Sequence, residues 1–168
     1  DLGKETTDQK FADMSHVFYR ECSDCDVDHR LIFYKRINKE LGDFSPYDNM
    51  VNTWSSSSNS FNEDFELYGS LEDLIAGTGK WTFCNFDDNG IAFPRDCGPG
   101  GAVSNNWNSK SANFADRTRK NVAYYILTYV PDYIEVPATE PEVCGVIYST
   151  GEYGAVDVGN AIADSMFT

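Results

Sequence analysis

The sequence predicts a mainly β fold: an antiparallel β-sandwich or partly open barrel with one short helix near residues 70–76. Three observations carry this. Short runs rich in β-branched and aromatic residues, about eight of them, recur along the chain between long polar turns. Aromatic residues fill 14% of 168 positions, which argues against a disordered chain, because such chains lack the side chains needed for a core. Only one segment carries both a helix start and a helix stop. The length suits one domain, which at this size buries about 70% of the surface its unfolded chain exposes.

Residues 1–14 are polar and are expected to form a flexible or surface-draped terminus. Residues 15–168 are expected to form a single β-rich domain. His16–Arg20 (HVFYR) reads as a strand, and Cys22–Asp28 as a compact acidic turn. In His29–Ile37, Leu31, Phe33 and Lys35 alternate with Ile32, Tyr34 and Arg36, the period of a strand. Gly42–Asn49 reads as a loop, Met50–Trp54 as a short strand and Ser55–Ser60 as a polar loop. Phe61–Tyr68 reads as a half-exposed strand.

Ser70 is then a candidate N-cap, with Asp73 three residues on, and Leu71, Leu74 and Ile75 share one helical face until Gly77 and Gly79 end it. Trp81–Phe86 alternates like a strand, and Asp87–Gly101 is a long loop. Val122–Val130 is apolar on both faces and is expected at the centre of the sheet. Pro131, Pro137 and Pro141 mark an extended segment over 131–142, and Val143–Ser149 reads as a last strand.

The formal charge is −14, from 27 acids against 13 Lys and Arg. That sign repels nucleic acid and anionic lipid, so no nucleic-acid partner is expected. No apolar run reaches the length of a membrane span, so none is expected. Charge is also uneven. Between Lys39 and Lys80 there are eight acids and no base, and after Lys120 seven acids and no base. Arg30, Lys35, Arg36 and Lys39 form one small cationic cluster, and Lys110, Arg117, Arg119 and Lys120 another. A cluster of this kind is either a solvated face or a dock for an acidic group.

Five cysteines, with acidity, Tyr/Asn/Ser richness and no initiator Met, point to a mature chain in an oxidising, extracytoplasmic compartment, whether secreted, on the cell surface or in an organelle lumen. Two bridges with one thiol left over can be drawn in 15 ways. Cys84–Cys97 is the favoured pair, because closing that loop stabilises by about 3 kcal/mol in the chain-entropy account and shapes the segment between. Cys22 and Cys25 are expected to be structural. With His29 and His16 they offer zinc-ligand types at a compressed spacing, and the acids between them work against thiolate chemistry.

Inside that favoured loop, Asn85, Asp87 and Asn89 fall at positions 1, 3 and 5 of a twelve-residue cation loop, with Gly90 at 6 and Asp96 at 12. Alternating oxygens before a glycine let a chain curl around calcium. The pattern departs from an EF-hand at both end positions and leads into Phe93-Pro94. A structural calcium held by these four residues is the cofactor expected; the same residues also suit a turn that caps its own backbone.

Trp54 beside SSSSNS and Trp107 within Asn105, Asn106 and Asn108 have the composition of a sugar platform, an indole face edged by amides. No hydrolase, P-loop or dinucleotide motif occurs. The resulting expectation is a non-catalytic, extracytoplasmic, glycan-binding module with a calcium loop. The alternatives are an accessory subunit docked on a larger protein assembly and a small carboxylate-dependent enzyme acting on polysaccharide, which Glu63, Asp64 and Glu66 would serve.

Overall fold

The computed structural model describes residues 2–107 and 121–131. In chain order they form helix α1 (Lys4–Asp13), strand β1 (Val17–Cys22), a 3-10 turn (Val27–His29), strand β2 (Leu31–Arg36), helix α2 (Pro46–Val51), strand β3 (Phe65–Tyr68), helix α3 (Leu71–Ala76) and strand β4 (Val122–Ile126). The strands make one antiparallel sheet of order β3-β2-β1-β4. The fold is therefore mainly β with a small helical part. Among the described residues there is one four-stranded sheet, and neither a second sheet nor a closed barrel.

Strand alternation gives the sheet two apolar faces, and each has its own core. Phe18, Ile32, Tyr34, Phe65 and Leu67 project to one side, where Phe11 of α1, Met50 of α2, Trp54, Trp81 and Phe93 cover them. Val17, Tyr19, Phe33 and Tyr68 project to the other, where Leu71 and Leu74 of α3 and Leu127 cover them. On this second face Tyr68, Phe33, Tyr19 and Tyr125 lie in one register row across all four strands. Tyr19 stacks on Phe33 at 5.3 Å and on Tyr125 at 5.0 Å, cross-strand contacts that fix register.

Several expectations are corrected. Residues 4–13 are not a draped terminus but helix α1, whose Phe11 is fully buried and stacks on Phe18 at 4.8 Å. One apolar ring in a polar segment is enough to dock a short helix when it enters an aromatic core. The segment assigned to a loop and then a strand over 42–54 contains α2. Ser45 caps it by accepting from the Asp48 amide at 3.2 Å, and Pro46 occupies the first helical position. Asp8 ties the helices together by accepting from Ser45 Oγ and the Tyr47 amide, each at 2.8 Å.

Helix α3 forms where expected: Ser70 accepts from the Asp73 amide at 3.1 Å, and Gly77 closes the helix at φ 68°. β4 is an edge strand of the described sheet, not a central one. Trp81–Phe86 contributes only a single bridge, Phe83 to Gly98. The 132–142 part of the extended segment and the strand over 143–149 lie outside the described residues.

Among the described residues the bridges are Cys22–Cys25 and Cys84–Cys97, the second being the favoured pairing. No helix among the described residues is long and apolar enough to cross a membrane.

Candidate ligand-binding clefts

The expected sugar platform is not on the surface. Trp54 is 0% and Trp107 3% exposed. Trp54 sits edge-on to Phe65 and Phe93 and donates its indole N–H toward Cys97 Sγ at 3.4 Å. Trp107 lies under the Arg95 guanidinium, 4.0 Å from its ring centre, and donates to Asp96 Oδ1 at 2.8 Å. Polar neighbours in sequence did not keep these rings outside, because a buried indole needs only one acceptor for its N–H and otherwise fills core volume.

Asn106 is buried as well. Its side chain accepts from the Asp26 amide at 2.9 Å and donates to Asp26 Oδ2 at 2.8 Å, clamping the Cys22–Cys25 turn. Asn105 is exposed at φ 67°, and Asn108 lies outside the described residues.

Of the four expected calcium ligands, a hydrogen bond joins Asn85 to Asp96, with Asn85 Nδ2 3.4 Å from Asp96 Oδ2, and the same oxygen accepts from Arg95 at 2.6 Å. Asp87 instead turns toward the serine loop, where its Oδ1 accepts from the Ser56 amide at 2.7 Å. Burial pushes the Asp87 carboxyl up, but hydrogen bonds from Ser56 and Ser55 outweigh it and hold the group below its usual range. Asn89 is exposed. Protein donors thus reach both oxygens of Asp96 and Oδ1 of Asp87, contacts of the self-capping kind.

Zinc is not served either. Cys22 and Cys25 are joined, with Asp24 beside them, and His29 is buried with Nε2 2.6 Å from the Cys97 carbonyl. Two of the three carboxylates named for catalysis, Asp64 and Glu66, are anchored. Asp64 sits below its usual range through the Ser60 amide and Asn38. Burial lifts Glu66, and hydrogen bonds from Tyr68 and Lys80 more than reverse this. Neither is a carboxyl held protonated near neutrality, which a general acid requires.

What the fold does open is a cleft of about 680 Å³ between the two N-terminal helices and the edge strand. Met14, Phe18, Met50, Val51, Tyr124 and Ile126 make its apolar walls, and Lys10, Thr7 and Tyr47 stand among them. It opens where β4 is an edge of the described sheet, its five residues only partly covered by the described residues. Its volume lies within the range of small-molecule sites, which are mostly apolar with a few polar groups. The sequence reading missed it because it missed α1 and α2. The signals were present: Phe11 alone in a polar stretch, and Ser45-Pro46 with Asp48, which combines a cap with a first-position proline. No protein-family model, no curated protein and no solved structure matches this chain.

Proposed function

We propose that this chain is a non-catalytic, extracytoplasmic binding module whose ligand seat is the cleft between α1, α2 and β4. The observation that carries this reading is the cleft itself, apolar-walled and about 680 Å³. The two disulfides support the compartment. The anchored carboxylates favour binding over hydrolysis. The ligand that fits is a compact apolar or aromatic body with few hydrogen-bonding groups. A sugar fits less well, because both indoles that would have stacked on it are inside the fold.

The test is titration of the protein into an environment-sensitive naphthalene fluorophore, followed by Thr7→Trp, which adds an indole to a partly exposed wall position of the cleft. The expected result is saturable enhancement that weakens at least tenfold in the variant. No enhancement, or an unchanged affinity in T7W with an unchanged melting temperature, overturns the assignment. A glycan screen on the same two proteins separates the readings: a sugar bound equally by both would restore the glycan module at another surface.

A further inference from the structure

A second cavity, of about 510 Å³, lies near the other face of the sheet, at the end of β4. Val17, Leu74, Ile75 and Val130 form its apolar wall, and Lys35 and Lys39 bring cationic side chains to it. We propose that this cavity binds a monomeric anionic amphiphile, a carboxylate on an apolar chain, with its headgroup between Lys35 and Lys39. The cavity adjoins the cleft proposed above, with Met14 and Thr128 in both linings, but Lys35 and Lys39 line this one alone, and the proposal does not rest on the function given to the cleft.

In a chain of net charge −14 a lysine has abundant acids to pair with, yet neither Lys35 nor Lys39 makes an ion pair among the described residues. The reason for Lys35 is visible in the register. It lies in one row with Val17 on β1 and Glu66 on β3. Glu66 is its electrostatic neighbour, but that carboxylate makes its direct ion pair with Lys80 at 3.1 Å and also accepts from Tyr68 Oη at 2.6 Å. Lys35 is left half-buried beside apolar side chains, where a charge interacts more strongly than in open water.

The cavity's third cation is committed elsewhere. Arg36 is buried and donates to the Asn38 and Ser58 carbonyls at 2.7 and 2.9 Å. Asp13 is the acid in the lining, and its carboxylate accepts from Gln9 at 2.9 Å. Among the described residues the two lysines are therefore the cations available to an incoming anion, and the half-buried Ile75 and Val130 offer apolar surface to its chain, with Val17 and Leu74 buried behind them. Tyr129, 46% exposed, stands in the same lining. A short mineral anion would leave the apolar wall wet, and a neutral lipid would leave the lysines unmatched. An amphiphilic carboxylate satisfies both.

The experiment is calorimetric titration of laurate, below its critical micelle concentration, into the full chain, with dodecanol and acetate as partial ligands. The expected result is saturable laurate binding, at least tenfold tighter than either partial ligand, weakened at least tenfold in Lys35→Glu/Lys39→Glu and preserved in Lys35→Arg/Lys39→Arg. T7W should bind laurate as the parent does. Three results each overturn the proposal: dodecanol binding as tightly as laurate, laurate binding indifferent to the charge reversal, or laurate binding lost in T7W and retained in the charge reversal, which places the ligand in the first cleft. Lysine-dependent sedimentation with anionic vesicles without laurate binding also overturns it, in favour of a membrane-surface patch. The arginine variant guards against misfolding, because it retains the charges and must keep both fold and binding.

Discussion

Lowering the pH from 7 to 5 should weaken the fold measurably, and His29 is the reason. Its ring is fully buried and lies nearly parallel to Trp81 at 5.8 Å. A carbonyl only accepts, so the 2.6 Å contact to Cys97 places the ring proton on Nε2. Nδ1 is then a buried acceptor with no hydrogen-bond partner. Protonating it would create a second buried donor with nothing to receive it, near the buried Arg20, whose Nη1 donates to the His29 carbonyl at 2.8 Å. Burial drives the His29 pKa down to about 4; the Cys97 hydrogen bond opposes this, Arg20 adds to it, and Asp26 and Asp28 oppose it.

The sign follows from proton counting. The unfolded ring titrates near its ordinary value of 6.5. Between that pH and about 4 the unfolded chain holds the proton that the folded one refuses. The stabilisation is complete above 6.5 and is lost as the pH falls through this window. Going from pH 7 to pH 5 alone costs about 2 kcal/mol. His16 shifts down as well, through burial and then Lys39, and adds to the loss in the same direction.

Urea unfolding followed by tryptophan fluorescence at pH 7, 6 and 5 measures this directly. His29→Gln should be less stable at pH 7, since it loses the ring's packing, yet its stability should change little down to pH 5. A parent whose unfolding free energy is equal at pH 7 and 5, or a variant that keeps the full pH slope, refutes the reasoning. The downshifted carboxyls Asp64 and Asp87 act in a separate, lower window: their contribution is present above the unfolded carboxylate value and is lost as pH drops through the folded one.

Three further outcomes are expected. Replacing both Cys84 and Cys97 with Ala should cost about 3 kcal/mol, from the loop that their bridge closes; a melting temperature within a degree or two of the parent would contradict this. Asp96→Ala removes the acceptor shared by Arg95, Trp107 and Asn85 and should cost about 3 kcal/mol in urea unfolding, whereas millimolar calcium should leave the parent's melting temperature unmoved. A calcium-dependent rise abolished by Asp87→Asn would reinstate the cation loop. Ser70→Ala should cost about 1 kcal/mol through the lost cap of α3, read as a lower urea midpoint at unchanged m-value.

The parts of the fold that were legible are those where local pattern and global packing agree. β1 and β2 alternate cleanly and pair along their length. Ser70, Asp73 and Gly77 mark α3 by capping chemistry that needs no tertiary partner. Where the two levels separate, the reading failed. Helix α1 is set less by its periodicity than by Phe11 entering the core and by Lys4 and Asp8 reaching α2. β4 reads as central because both its faces are apolar, yet in the described sheet one edge pairs with β1, and its residues face the two N-terminal helices and the second core. The indole platform is buried, and the residues of the cation loop meet protein donors, for one reason. Spacing shows which groups are near in sequence and not what else will reach them, and here Ser55, Ser56, Arg95 and the core arrived first.

The same competition for partners decides where binding can occur in this molecule. A polar group marks a ligand site when the fold leaves it without an internal partner, and most conspicuous polar groups here have one: Asp87, Asp96, Asn106, Arg36 and Glu66 are each held by two or more hydrogen bonds or ion pairs. The two cavities are lined instead by residues that read as ordinary in the sequence: an edge strand's half-covered apolar side chains in one, and in the other two lysines, one of which sits in register with an acid that is paired to Lys80. In a chain of net charge −14, two such lysines beside an apolar wall constrain ligand chemistry more tightly than any of the 27 acids does. An anion entering there meets attraction locally and repulsion from the rest of the protein, so added salt has two opposed effects. Screening the distant acids should speed association, and screening the lysines should speed dissociation.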